Sequence, residues 1–220
     1  MNKGKFIIVE GPDFCGKTTQ IDLLDESALG DYTYFLTTRE PGSFLPDSHN
    51  ECEEIRKYVL SNNLSAYEEA QFFSDSRYIH TLEIVELLNR GFNILSDRYI
   101  ISSLAYQGYA QGLGADTIFE LNDETLELLD ENDITIECIK FTIDKEEWKR
   151  RKSERLSIED ADAIEQKDIH DDILEFFTND NIFNDYTCGL NINIHEIDAT
   201  SDVDSIFKKF YSVITEIINY

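Results

Sequence analysis

The run Gly11-Pro12-Asp13-Phe14-Cys15-Gly16-Lys17-Thr18 constrains the fold of this chain more than any other stretch. Ahead of it lies Lys5-Phe6-Ile7-Ile8-Val9-Glu10, an apolar, β-branched segment that reads as a buried strand. Behind it, Thr19-Gln20-Ile21-Asp22-Leu23-Leu24 carries apolar residues at helical spacing. A G-x-x-x-x-G-K-T pattern between a strand and a helix is the signature of a phosphate-binding loop. Its glycines let main-chain N–H groups close around a phosphate, and the helix adds roughly half a positive charge at its N-terminus. In such a loop Lys17 reaches the β- and γ-phosphates of a nucleoside triphosphate, and the Thr18 hydroxyl ligates Mg2+. Gly11 through Thr18, with Thr19, form the expected triphosphate-binding set.

Charge narrows the partners. Nineteen basic and 45 acidic side chains leave a net charge of −26. That balance argues against an extended nucleic-acid surface and against an anionic membrane. It also repels a nucleotide, so the charge that holds phosphates must be local. Lys149, Arg150, Arg151, Lys152 and Arg155 concentrate such charge in one short segment. The cysteines (Cys15, Cys52, Cys138, Cys188) are scattered without a CxxC pair, which predicts a reduced, cytoplasmic protein. His49, His80, His170 and His195 lack metal-ligand spacing. The apolar run after the first lysines is too short for a signal peptide, and no stretch has the length of a membrane span. No linker or repeat divides the 220 residues, so one domain over 1–220 is expected.

Strand and helix signals alternate along the chain. Tyr32–Thr37 reads as the second strand, and Pro41-Gly42 turns the chain just after Arg39. Residues 51–61 read as a short helix and 65–90 as a long one closed by Gly91, with Phe73 and Arg77 on one face. Phe92–Ser96 is the third strand; it delivers Asp97 and Arg98 to the carboxyl edge, where α/β sheets bind ligands. A helix with Ser102, Ser103, Tyr106 and Gln107 follows, and another spans about 115–130. Ile136–Ile143 is the fourth strand, and the basic segment 149–155 continues a helix into a polar stretch at 156–164. A helix over 165–186, a strand at 192–197 and an amphipathic helix over 202–219 complete the chain. The last helix places Val203, Ile206, Phe207, Phe210, Ile214 and Ile217 on one side. The expected fold is α/β: a three-layer sandwich with a five-stranded parallel sheet flanked by helices, the P-loop NTPase fold.

The guanine-reading NKxD and the DxxG of a GTPase are not in their expected places. Instead the chain carries Glu10-Gly11-x-Asp13-x-x-Gly16-Lys17-Thr18-Thr19-Gln20, Thr38-Arg39-Glu40-Pro41-Gly42, Asp97-Arg98-Tyr99 and Ser102-Ser103-x-Ala105-Tyr106-Gln107-Gly108. In that order and spacing, these motifs resemble thymidylate kinases, over residues 5 to 197. The resemblance implies transfer of phosphate from MgATP to dTMP by a homodimer joined through the helices near 51–90. It implies that the loop with Lys17 and Thr18 holds ATP and Mg2+, and that Asp97 organises the metal and its waters. Asp13 resembles the carboxylate that meets the sugar 3′-hydroxyl of dTMP. Arg39 and Arg98 resemble the pair that grips the acceptor phosphate. Phe73 resembles the aromatic that stacks on thymine, and Arg77 the residue that bonds a base carbonyl. Ser103, Tyr106 and Gln107 line the same pocket, and a mobile lid at about 149–165 closes over the phosphates.

The chain departs from the resembled pattern in four places. Phe14 stands where Gly or Arg is usual, so the loop supplies no catalytic guanidinium and the lid must. Arg151 and Arg155 share a helix face, with Arg150 about a quarter-turn from Arg151; Arg155 is the expected catalytic group and Arg151 its support. Ser43 replaces a glycine, Ser76 replaces the Asp before the base-reading Arg, and Asp162-Ala163-Ile164-Glu165 lacks the lid's usual Arg. The base-pocket departures leave open a kinase with another or broader deoxynucleotide acceptor. Those in the loop and lid leave open a weakly catalytic nucleotide-binding regulator.

Overall fold

The computed structural model describes residues 3–27, 35–44, 51–155 and 168–219. The start of the second expected strand (Tyr32–Tyr34), His49, the polar stretch 156–164 with its Asp162–Glu165 motif, and the start of the 165–186 helix lie outside the described residues.

Five parallel strands form one sheet in the order β2-β3-β1-β4-β5: β1 Phe6–Glu10, β2 Phe35–Arg39, β3 Asn93–Asp97, β4 Ile136–Thr142 and β5 Ile192–Asp198. Strand β1 is fully buried because its two side-chain sets enter different cores. Phe6 and Ile8 pack with Ile94, Cys138 and Phe176. Ile7 and Val9 pack on the other face with Leu95, Ile139 and Phe210. Near-continuous apolar strands are what a parallel sheet covered on both faces demands. The register puts Val9 and Arg39 both opposite Asp97, so β1, β2 and β3 end at one edge.

The helices are α1 Lys17–Asp25, α2 Glu51–Ser61, α3 Ala66–Asn89, α4 Ile100–Ser103, α5 Ala115–Leu121, α6 Asp123–Glu131, α7 Lys145–Arg155, α8 His170–Thr178, α9 Asp180–Thr187 and α10 Val203–Asn219. Helix α3 starts at a capping box: the Ser65 hydroxyl accepts from the Glu68 N–H while the Glu68 carboxylate accepts from the Ser65 N–H.

Two expected helices are each divided. Near 115–130 the break falls at Asn122, whose side-chain amide donates to the Ile118 carbonyl while its oxygen accepts from Arg77. In the 165–186 span it falls at Asn179, whose side chain caps α9. Residues Leu104–Ala110 continue α4 as a π-helix, a widened turn that places Gly108 inside the element. On α10, Ile206, Phe210, Ile214 and Ile217 are buried as expected, but Val203 is exposed because it opens the helix at the edge of the site.

Candidate active site

The carboxyl edge of the sheet opens into a cavity of about 750 Å3. At one end is the loop between β1 and α1. A Cβ at Gly11 would lie 2.8 Å from Phe141 of β4, so only glycine fits this close approach. Gly16 adopts φ +96° as the N-cap of α1. Phe14 takes φ +66°, a strained conformation for an aromatic, and packs against Trp148 of α7 and His170 of α8. Lys17 is buried and donates from Nζ to the carbonyls of Gly11 and Pro12, both at 2.9 Å. Thr18 Oγ1 donates to Asp97 Oδ2 at 2.8 Å, while Asp97 Oδ1 is buried and accepts no hydrogen bond among the described residues. An orphaned carboxylate oxygen beside a hydroxyl at the head of α1 fits a Mg2+ ion carried in with a nucleotide. Among the described residues no cluster of three His, Cys, Asp or Glu side chains could hold a metal unaided.

At the cavity's centre Asp13 meets Arg98. Arg98 sits at φ +71° just past β3, donates to Asp13 Oδ1, donates to Ser102 Oγ at 3.1 Å and stacks on the Tyr106 ring. The Tyr106 hydroxyl donates to Asp13 Oδ2 at 2.5 Å. Burial alone would raise the Asp13 carboxyl, but the charges of Arg98 and Lys17 and the Tyr106 hydroxyl outweigh it and hold it below its ordinary value. Glu10, wholly buried at the end of β1, braces this turn by accepting from the Tyr99 and Ser102 N–H groups and the Ser102 hydroxyl. Burial pushes its carboxyl up to about 7, against the pull of Arg98 and those hydrogen bonds.

That shift has a measurable sign. The folded-state value lies above the ordinary 4.5, so between those two pH values the folded chain holds a proton that the unfolded chain has released. Stability contributed at low pH is therefore lost as pH rises through that window, by about 3 kcal/mol in full. Glu10→Gln removes the titration. Urea unfolding should show the variant gaining up to about 3 kcal/mol on wild type between roughly pH 5 and roughly pH 8. A pH-independent difference would mean that Glu10 titrates at its ordinary value.

At the far end lie the candidate base readers. Phe73 and Arg77 project from α3 into the cavity, with Arg39, Ser103, Tyr106 and Gln107 around them. Arg77 is buried and donates to Glu40 (2.7 Å), Asn122 (2.6 Å) and Ser103 (3.0 Å). The carboxylate that pairs Arg77 thus comes from the β2 turn. Ser76, beside it in sequence, keeps a buried hydroxyl with no hydrogen bond among the described residues. Gln107 donates to the buried Glu69, which turns its amide nitrogen away from solvent. Arg39 is half-exposed and pairs with Glu53 of α2.

The basic segment forms the third wall. Arg150, Arg151 and Arg155 all line the cavity, so the quarter-turn between Arg150 and Arg151 does not exclude Arg150. Arg150 is engaged by Glu147 and Glu154. Arg151 pairs with Glu147 and donates to the carbonyls of Cys15, Ala199 and Ser201, tying α7 to the phosphate loop. Arg155 is exposed and has no ion pair among the described residues.

All the sequence-predicted residues from Asp13 to Thr19, with Arg39, Phe73, Arg77, Asp97, Arg98, Ser103, Tyr106, Gln107, Arg151 and Arg155, therefore border one cavity; Gly11 and Pro12 form the root of its loop. Sequence reading missed Arg56 and Leu60 of α2, which also line it; their spacing of four, on the helix after the Pro41 turn, is the signal that could have found them. It also missed Val203 and Ile206, which border the loop end.

The thymidylate kinase family model matches residues 9–209. The chain is 35% identical over 213 residues to a thymidylate kinase of Staphylococcus haemolyticus, covering 95% of this chain and 96% of that one. It is 37% identical over 127 residues to a thymidylate kinase of Clostridium novyi, covering 56% and 60%. The crystal structure of thymidylate kinase from Ehrlichia chaffeensis superposes with a TM-score of 0.64 at 25% identity, covering 96% and 99%. This chain belongs to the thymidylate kinase family.

Proposed function

We propose that the protein transfers the γ-phosphoryl group of MgATP to dTMP, yielding ADP and dTDP. One observation carries this reading: a single cavity is lined by a phosphate-binding loop, by an aromatic and an arginine of α3, and by two arginines from strand ends. That is a cleft for two nucleotides meeting head to head. Phosphoryl transfer is mostly positioning and charge neutralisation, which such convergence supplies.

Lys17 neutralises the transferring group from the loop, and Arg155 does so from α7. Arg39 and Arg98, aided by Arg56, fix the acceptor phosphate so that its oxygen lies in line with the γ-phosphorus. Asp13 accepts the sugar 3′-hydroxyl, Phe73 stacks on the base, and Arg77, with Ser103 and Gln107, reads its polar edge. Tyr106 holds Asp13. Thr18 and Asp97 would hold Mg2+, which when bound supplies further charge neutralisation at the phosphates.

The chain acts as one P-loop kinase domain whose lid spans about 149–165. It works as a homodimer through α2 and α3, where Tyr58, Tyr67 and Leu82 are exposed apolar surface. A cytoplasmic location fits its free cysteines, three of them buried, and none of the described helices is long and apolar enough to cross a membrane.

A coupled ADP assay over a panel of monophosphates tests the substrate. dTMP is expected to give the highest kcat/KM, ahead of dUMP and the other deoxynucleotides. In Phe73→Ala, KM for dTMP should rise by an amount worth about 1–3 kcal/mol while KM for ATP moves little. Equal effects on both substrates would reduce Phe73 to core packing, and a flat panel would remove dTMP as the preferred acceptor.

A further inference from the structure

Asp13 is hydrogen-bonded on the cavity side by Arg98 and Tyr106 and flanked from behind by an imidazole. His170 opens α8 and is buried, with Nδ1 at 3.7 Å from Asp13 Oδ2. Its ring packs on Phe14 with centroids 5.5 Å apart. Phe14 leans in turn on Trp148, whose indole N–H donates to the Asp13 carbonyl at 2.9 Å. The aromatic at position 14 thus forms the surface that the imidazole rests on.

We propose that His170 is a positioning residue that fixes the Asp13 carboxylate for the sugar hydroxyl of the acceptor. The inference rests on reading Asp13 as the group that receives that hydroxyl. Arg98 and Tyr106 both bond Asp13, but both also line the cavity and face the acceptor. Arg98 must divide its donors between Asp13 and the acceptor phosphate. Among the described residues His170 is the contact to this carboxylate that lies outside the cavity lining, so it can hold Asp13 while substrate engages the others. A separation of 3.7 Å is longer than a hydrogen bond. Contacts of this kind tighten when a site closes on its substrates, and in a water-poor interior the pull of an imidazole N–H on a carboxylate is strong.

The test compares kcat/KM for dTMP and for 3′-deoxy-dTMP in wild type, His170→Leu, His170→Gln and Asp13→Asn. Leucine fills the space without a donor, and glutamine restores one. His170→Leu is expected to lose about tenfold on dTMP and less than about twofold on the 3′-deoxy acceptor, with KM for ATP unchanged. His170→Gln should stay within about twofold of wild type on both. Thermal melting checks folding, and if the leucine variant does not fold, His170→Asn, whose donor is too short to reach, is read in its place. With Asp13→Asn discriminating between the acceptors, an equal loss on both or no loss in His170→Leu overturns the proposal alone. An equal loss on both acceptors in Asp13→Asn overturns the reading of Asp13 and the proposal with it.

Discussion

Lys17→Met is expected to leave a folded protein whose turnover falls by about a thousandfold or more, the scale of losing a cation that stabilises the transferring phosphoryl group. Methionine keeps most of the length and the apolar stem of the lysine in its buried setting. The structural loss is the two hydrogen bonds to the Gly11 and Pro12 carbonyls and a longer one to Cys15 Sγ, which also draw the lysine against the loop. The chemical loss is larger. Phe14 carries no charge, so Lys17 is the only cation of the loop between Gly11 and Thr19. It is also one of the charges that keep Asp13 ionised against its burial. The measurement is kcat by coupled assay alongside a thermal melt. Near-normal turnover in a folded variant would remove the phosphate loop from the mechanism.

Arg155→Ala is expected to lower kcat by about a hundredfold while KM for dTMP stays within about twofold, because the contact forms mainly in the closed transition state. The structure separates this residue from its neighbours. Lys149, Arg150 and Arg151 balance Glu146, Glu147 and Glu154 along α7, and two hydrogen-bonded arginines hold the Glu147 carboxyl down at about 2. Arg155 ends the helix at the cavity without such a partner among the described residues. Arg151→Ala should behave differently. Its guanidinium ties the Cys15, Ala199 and Ser201 carbonyls together, so its loss should raise KM for ATP and lower the melting temperature as well as kcat. Steady-state constants for both single variants and the double variant test this division. Wild-type kcat in all three would mean that α7 is not the source of the second cation.

The alternation of strands and helices, the parallel sheet and the phosphate loop were legible in sequence because local chemistry dictates them. β-branched runs between glycine turns suit strands buried on both faces of a covered parallel sheet, and two glycines before Lys17, set between a strand and a helix, match the phosphate-loop pattern. The edge residues Arg39, Asp97 and Arg98 were legible for the same reason: a strand's last residues sit where the sheet opens. Partners across the fold were not legible. Nothing near Arg77 in sequence shows that Glu40 and Asn122 clamp it, or that Asn122 breaks a helix to do so. Nothing near Arg151 shows that it spends its donors on main-chain carbonyls up to 136 residues away. The replacement of Gly or Arg by Phe14 looked in sequence like a lost charge, whereas the fold makes it a packing surface joining the loop to α7 and α8. Periodicity and loop motifs report how a residue interacts with its own segment. Which buried donor meets which acceptor depends on how the helices pack on the sheet, and that is a property of the tertiary structure alone.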